Sequence, residues 1–503
     1  MRADLRLIAC TVILGTPLSA QDTPDSAISW LSDSLSTPRT APRRDEPAAT
    51  PLTGTQVTVM PLGQTRRDAV GLLSSRLTGL PSDTFAGVDP RRVADLIANL
   101  PPDALPAMQD LVLMLMLAEL DPPRAAADPD TLFFARVDGL LRFGALDQAQ
   151  ALLERAGATD PQAFRRWWDT SLLTGFDTRA CDAMTANPGV APTLPARIFC
   201  LTRSGDWAAA ALTLDTGRAL GIISKQEDAL LAQFLDPEMF ENLPPPMAPR
   251  PITPLAFRLL DGIGETPSTA GLPLAFAVAD LRPTTGWKSQ IEAAERLTRA
   301  RALDVNRLLA LYTEGRPSAS GGVWDRAAAI QKLDTALIAG DMAGVADALP
   351  QAFTRMQDAG LLVPFADLYG ERLSHIALDA PAAALALRVG LLSPAYETIA
   401  ASATATMPRD AFALAIAQGN FDVPPPPDPL SQAINDGLTG TPPDHLTRLA
   451  ESERLGEALL EAVSLLADGA DSDPQDIADA LAFFRSVGLL DVARRMALQL
   501  LLT

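Results

Sequence analysis

Acid–base and nucleophilic chemistry needs a tunable base, and this chain has two histidines, His375 and His445. His375 lies in Leu373-Ser-His-Ile-Ala-Leu378, an apolar helical stretch where a packed, hydrogen-bonded imidazole is expected. His445 follows Pro442-Pro-Asp444 at a helix start, with Asp444 as the cap and His445 on the surface of the first turn. The two are far apart in the chain with no cysteine beside either, which is no metal signature. Sequences of the G-x-S-x-G, H-E-x-x-H and phosphate-loop types are absent. Gly262-Ile-Gly264 begins like a dinucleotide-binding turn, but no strand precedes it and Pro267 stands where the third glycine belongs. The expectation is a chain with no catalytic residues, no metal and no cofactor.

Binding chemistry has more to work with. Ser318-Ala-Ser-Gly-Gly-Val-Trp324 leads into a helix whose free N–H groups could hold an anion, with Ser318, Ser320, Gly321 and Gly322 as the loop. An ordinary Ser/Gly cap is the competing reading. Near the amino terminus, Ser26–Ser36 places Ile28, Leu31 and Leu35 on one helical face with Trp30 beside it. Such a stripe either docks on its own domain or serves as a motif for a partner. Trp167 and Trp168 are adjacent on a helix, so one should fill the core while the other lines a groove. Trp207, Trp287 and Trp324 sit at helix starts, commonly a packing position.

Compartment follows from the first twenty residues and the cysteines. Arg2 and Arg6, the apolar Leu7–Leu14 and Pro17-Leu-Ser-Ala20 read as a cleaved signal peptide, residues 1–20. Leu7-Ile-Ala-Cys10 matches a lipobox in letters, but the apolar stretch before Cys10 is short, so a soluble periplasmic product is expected. Cys181 and Cys200 remain, on two apolar helical stretches joined by the turn Ala186–Thr193. Antiparallel packing of those stretches would put the thiols at one height, which allows a disulfide. Two buried free thiols or a reactive pair are the alternatives, although C-x-x-C spacing is missing.

The 503 residues are 48% hydrophobic and 5% aromatic with a net charge of −20. That charge repels nucleic acid and anionic lipid, so neither is an expected partner, and no apolar run is long enough for a membrane span. From Asp89 onward, apolar residues recur at helical spacing, which predicts an all-α protein. A junction repeats along it. Gly144, Gly175, Gly205, Gly340 and Gly488 are each followed within three residues by an acid and then by alanine. Glycine there should turn left-handed to end one helix, and the acid should favour the start of the next.

This spacing resembles tetratricopeptide-like helical-hairpin arrays in the broad sense, well over residues ~130–220 and loosely over ~290–503. The fixed Trp, Tyr, Phe and Pro positions of that family are not reproduced. The whole chain also resembles the uncharacterised exported helical proteins of GC-rich bacteria, a likeness that carries no function. The resemblance implies an α-solenoid in which hairpins bury their faces by stacking. The expected division is a largely disordered, Pro-rich segment over 21–87 and a helical array over 88–242. A central array over 255–422 and a terminal bundle over 428–503 follow. The proline clusters Leu243–Pro254 and Val423–Pro429 act as joints between these units.

Glu451-Ser452, on an amphipathic helix expected from Arg448 to Leu466, resembles the acid–serine pair of lytic transglycosylases, but no downstream catalytic motif accompanies it. The functional expectation is a non-catalytic periplasmic scaffold for a protein or cell-envelope partner. A divergent peptidoglycan-acting enzyme or its helical accessory, and a small-ligand-binding protein, are the alternatives.

Overall fold

Asp89 accepts a hydrogen bond from the backbone N–H of Arg91 at 3.0 Å, and Pro90 fills the first position of the helix Pro90–Asn99. Proline costs nothing there, because that N–H has no helical acceptor. The same device opens the helices Pro161–Thr174, Leu194–Arg203, Pro254–Gly262, Pro429–Thr439 and Pro474–Ser486, each behind an Asp or Thr cap. Much of the proline content thus starts helices instead of breaking them. The computed structural model describes residues 66–124, 129–240 and 244–503, and among these every regular element is helical apart from one isolated bridge, Leu73 to Ala118.

The glycine junctions behave as their chemistry requires. Gly144, Gly175, Gly205, Gly340 and Gly488 all have φ between 66° and 85°. Asp206 and Asp341 then accept from the backbone N–H of Ala209 and Gly344, capping the helices Trp207–Ala219 and Met342–Asp358. From Thr131 to Leu235, each helix packs on its sequence neighbour.

The packing does not stop at neighbours. Pro254–Gly262 folds back onto Pro161–Thr174, and Leu455–Leu465 packs on Pro90–Asn99. Leu490–Leu502 packs on Pro106–Leu117, where the Ala107 N–H donates to Gln499 Oε1 at 2.9 Å across the seam. Arg301 ties three regions together, reaching Asp110 at 2.8 Å and Asp367 at 2.6 Å. A one-dimensional array in which each hairpin touches only its neighbours does not describe these contacts. One buried apolar cluster runs from Leu80 to Leu502, so neither proline cluster separates one core from another.

Residues 66–87, placed by sequence in the loose segment, are instead a packed strap. Leu80 and Phe85 are buried, and Leu72 N–H donates to Leu117 O at 2.7 Å. Arg136, itself buried, donates to the carbonyls of Met116, Asp68 and Ala118 at 2.8, 3.1 and 2.7 Å. Burial holds its guanidinium down at about 10. Satisfying three carbonyls at once is what makes an interior arginine tolerable, and it locks the strap to the first hairpins. The remainder of the 21–87 segment, with Ile28, Trp30, Leu31 and Leu35, lies outside the described residues, as does the 1–20 segment.

Candidate functional site

Two clefts share one lining residue, the first built from the middle of the chain and the second from its early, middle and last parts. The first, about 700 Å³, lies between the loop 266–270, the turn 284–286 and the helix Trp287–Arg299. The second, about 720 Å³, is lined by the loop 101–106, the turn 357–363, residues 467–469 and Thr503. Arg299 lines both.

The helix Trp287–Arg299 positions the charges of the first cleft. Its buried face carries Ile291, Ala294 and Leu297, and Glu295 sits beside them, 3% exposed. A buried carboxylate must be fully hydrogen-bonded to be affordable. Glu295 accepts from Tyr312 Oη at 2.8 Å and from Arg326 Nε and Nη2 at 2.7 and 2.6 Å. Burial and this carboxylate hold the Tyr312 phenol far above its ordinary range. With its oxygens committed, Glu295 is an anchor for Arg326 and not a free base.

Asp280 faces the same cleft. The Thr269 hydroxyl donates to its Oδ2, and burial pushes its carboxyl above the ordinary range against that bond. Arg296 donates to the carbonyls of Thr269 and Leu272 at 2.8 and 3.0 Å, and Arg299 donates to Ala359 O at 2.8 Å. Burial, then the neighbouring Arg299, lower the Arg296 guanidinium. Among the described residues neither arginine forms an ion pair with a carboxylate. Thr266, Thr285 and Ser289 add hydroxyls to the wall. The arrangement offers hydrogen-bond donors and acceptors along an open surface, which suits a polar ligand.

None of these residues was singled out in sequence. The available signal was Glu295, an acid on the apolar side of an amphipathic helix, which demands a partner.

The residues that sequence did single out lie elsewhere. Ser318, Ser320, Gly321 and Gly322 are exposed, and the Gly321 N–H donates to Asp325 Oδ1 at 2.8 Å. Asp325, in the first turn of Val323–Ala339, also pairs with Arg355 at 3.3 Å. One N–H of the loop is therefore taken by a carboxylate of the helix that follows it. His375 is exposed just past the end of the helix Leu362–Ser374, not packed inside an apolar helix, because that helix stops one residue earlier. His445 is exposed in a first turn. Glu451 is exposed at the last residue of Asp444–Glu451. The expected continuous helix breaks after it, where Glu453 takes φ 59° and the next helix starts at Leu455.

Trp167 and Trp168 are both buried, contrary to the one-in, one-out expectation. Trp168 packs edge-on against Phe199, and Trp167 Nε1 donates to Glu154 at 3.1 Å. Trp287 and Trp324 pack together with ring centroids 5.0 Å apart, whereas Trp207 is half exposed. Cys181 and Cys200 form a disulfide with Cα atoms 5.1 Å apart, on the helices Asp177–Ala186 and Leu194–Arg203. Among the described residues no group of acids, histidines and cysteines is arranged to hold a metal, and no helix is long and apolar enough to cross a membrane. No family model, curated protein or solved structure matches this chain.

Proposed function

We propose that this chain is an exported, non-catalytic helical-hairpin scaffold that binds a protein or cell-envelope partner in the periplasm. The observation that carries the reading is the pair of clefts sharing Arg299. The first is lined by hydroxyls and guanidiniums, and the second by apolar side chains with Asp103, Asp468, Gln357 and Thr503. Such surfaces bind through many modest hydrogen bonds and bridging waters, spread over the length of a large partner. The packing of Leu455–Leu465 on Pro90–Asn99 and of Leu490–Leu502 on Pro106–Leu117 supplies a stiff frame for them. Export is supported by the basic start, apolar core and small-residue end of residues 1–20. The Cys181–Cys200 disulfide is compatible with an oxidising compartment.

The test is recovery of a partner with tagged protein from its native periplasm, repeated with Ala270→Trp and Ser289→Trp. Both residues line the first cleft and neither is in the buried core, so the indoles block the surface without disturbing the fold. A partner captured by the parent and lost by both variants supports the reading. Absence of any partner above background, or a partner retained by both variants, overturns it.

A further inference from the structure

In a chain with 61 acidic and 41 basic residues, a partly buried guanidinium has carboxylates to choose from. Arg282, Arg301 and Arg326 each take one. Arg296 and Arg299 do not, and they stand one turn apart on Trp287–Arg299, partly buried in the wall of the first cleft. Like charges at that spacing repel, so two arginines left without an acid are a cost to the fold. The repulsion shows in Arg296, whose guanidinium is lowered by burial and then by Arg299.

The acids of the cleft do not relieve it. Glu295 is spent on Tyr312 and Arg326. Asp261 pairs with Arg258 and Arg282 at 3.1 and 2.8 Å, and Glu292 pairs with Lys288 at 3.3 Å. Asp280 acts on Arg296 only at a distance, because it accepts from the Thr269 hydroxyl and burial pushes its carboxyl up. On the far side of Arg299, Asp103 and Asp468 line the second cleft and form no ion pair with either arginine.

Neutral backbone groups hold the two arms instead. Arg296 Nη1 and Nη2 donate to the carbonyls of Thr269 and Leu272, and Arg299 Nη1 donates to that of Ala359. The Arg299 stem lies over Gly360, where a Cβ would stand 3.4 Å from its Cδ. These contacts aim the side chains but use only part of each fork. Nε of Arg296, and Nε and Nη2 of Arg299, have no acceptor among the described residues. A guanidinium fixed by carbonyls keeps its full charge, and its free N–H groups match the oxygens of a carboxylate or phosphate.

We infer that Arg296 and Arg299 form an oxyanion site, which takes a carboxylate or phosphate group carried by the ligand of the first cleft. The hydroxyls of Thr266, Thr285 and Ser289 along the same wall suit a ligand that is polar beyond its charged group. The inference rests on the reading of this cleft as a binding surface, and gives the partner an acidic group at that point.

Equilibrium dialysis of the full chain at low ionic strength tests it, with labelled succinate and, separately, labelled inorganic phosphate. At least one of the two anions should saturate at one per chain, and the tighter of them tells a carboxylate from a phosphate. Arg299→Gln keeps an N–H for Ala359 O and removes the charge, so it should weaken binding by about tenfold or more. Ala270→Trp closes the cleft with both guanidiniums in place and should do the same. Arg307→Gln, at an exposed arginine that pairs with no carboxylate on Val305–Thr313, should leave binding unchanged. No saturable binding of either anion, binding retained by Arg299→Gln or Ala270→Trp, or an equal loss in Arg307→Gln overturns the site. Dialysis needs no captured partner, so failure here leaves the scaffold reading standing, and failed capture leaves the oxyanion site standing.

Discussion

Opening the Cys181–Cys200 disulfide should lower the melting temperature by a few degrees, and the size of the fall reports on how the chain coheres. The bond closes a loop of sequence separation 19. Loop-closure entropy for that length corresponds to about 3 kcal/mol at 25 °C. If the residues from Arg66 onward unfold as one unit, an unfolding entropy of roughly 0.9 kcal/mol/K converts that into a fall of about 3–4 °C. If the hairpins between ~160 and ~240 melted alone, the smaller entropy of some 80 residues would give a separate transition roughly 20 °C lower. The continuous buried cluster from Leu80 to Leu502 and the packing of Pro254–Gly262 onto Pro161–Thr174 require the first outcome. Differential scanning calorimetry with and without reductant measures it, and Cys181→Ala with Cys200→Ala removes any reoxidation. A second, early transition would refute the single-core reasoning. No shift at all would refute the cross-link argument.

Three further outcomes follow from the same contacts. Burial, aided by Glu295, Asp334 and Asp491 respectively, holds the phenols of Tyr312, Tyr369 and Tyr396 above their ordinary range. A raised folded pKa gives stability that is complete below the unfolded value near ~10 and is lost as pH rises beyond it. Absorbance at 295 nm should therefore stay silent at pH 10.5 until the chain unfolds, and a reversible native titration there would contradict the burial. Asp280, also raised by burial, stabilises the fold only in its protonated form, so its contribution is lost as pH rises above the ordinary carboxylate value of about 4. Asp280→Asn should then raise the melting temperature at pH 7 more than at pH 4; an equal change at both pH values would exclude the effect. Gly456→Ala would drive a methyl group into the Phe85 ring at the seam between the chain's two ends, costing about 1–3 kcal/mol in urea unfolding. Phe85→Leu in the same chain should recover part of that loss, and no recovery would place the damage elsewhere.

Local signals were legible wherever a few adjacent residues carry the whole cause. Asp89-Pro90 and Asp160-Pro161 start helices because cap and ring act within one turn. Gly175 and Gly340 end them because the left-handed conformation needs no neighbour beyond the chain itself. Cys181 and Cys200 pair because a short turn sets two helices side by side. The errors share the opposite property. Whether Trp167 is buried or lines a groove depends on Glu154, thirteen residues earlier, which satisfies its indole N–H. Likewise the Gly321 N–H is taken by Asp325, four residues on, a competition between backbone and side chain that composition does not rank.

The clefts were out of reach for a deeper reason. An amphipathic pattern says that a helix face is covered but not by what, and Arg299 gains its place only when the turn at Ala359 folds against it. Helical class, the proline-headed caps at Asp89 and Asp160 and the hinge glycines were therefore determined by the sequence alone, since each is an interaction of near neighbours, whereas the disulfide was one of several thiol states until the two helices were set side by side. Only tertiary structure decided that residues 66–87 are a strap, that proline clusters lie over one continuous core, and that Gln499 caps the helix of Ala107. Those depend on apolar faces and orphan N–H groups finding partners hundreds of residues away, and period and propensity carry no record of that choice.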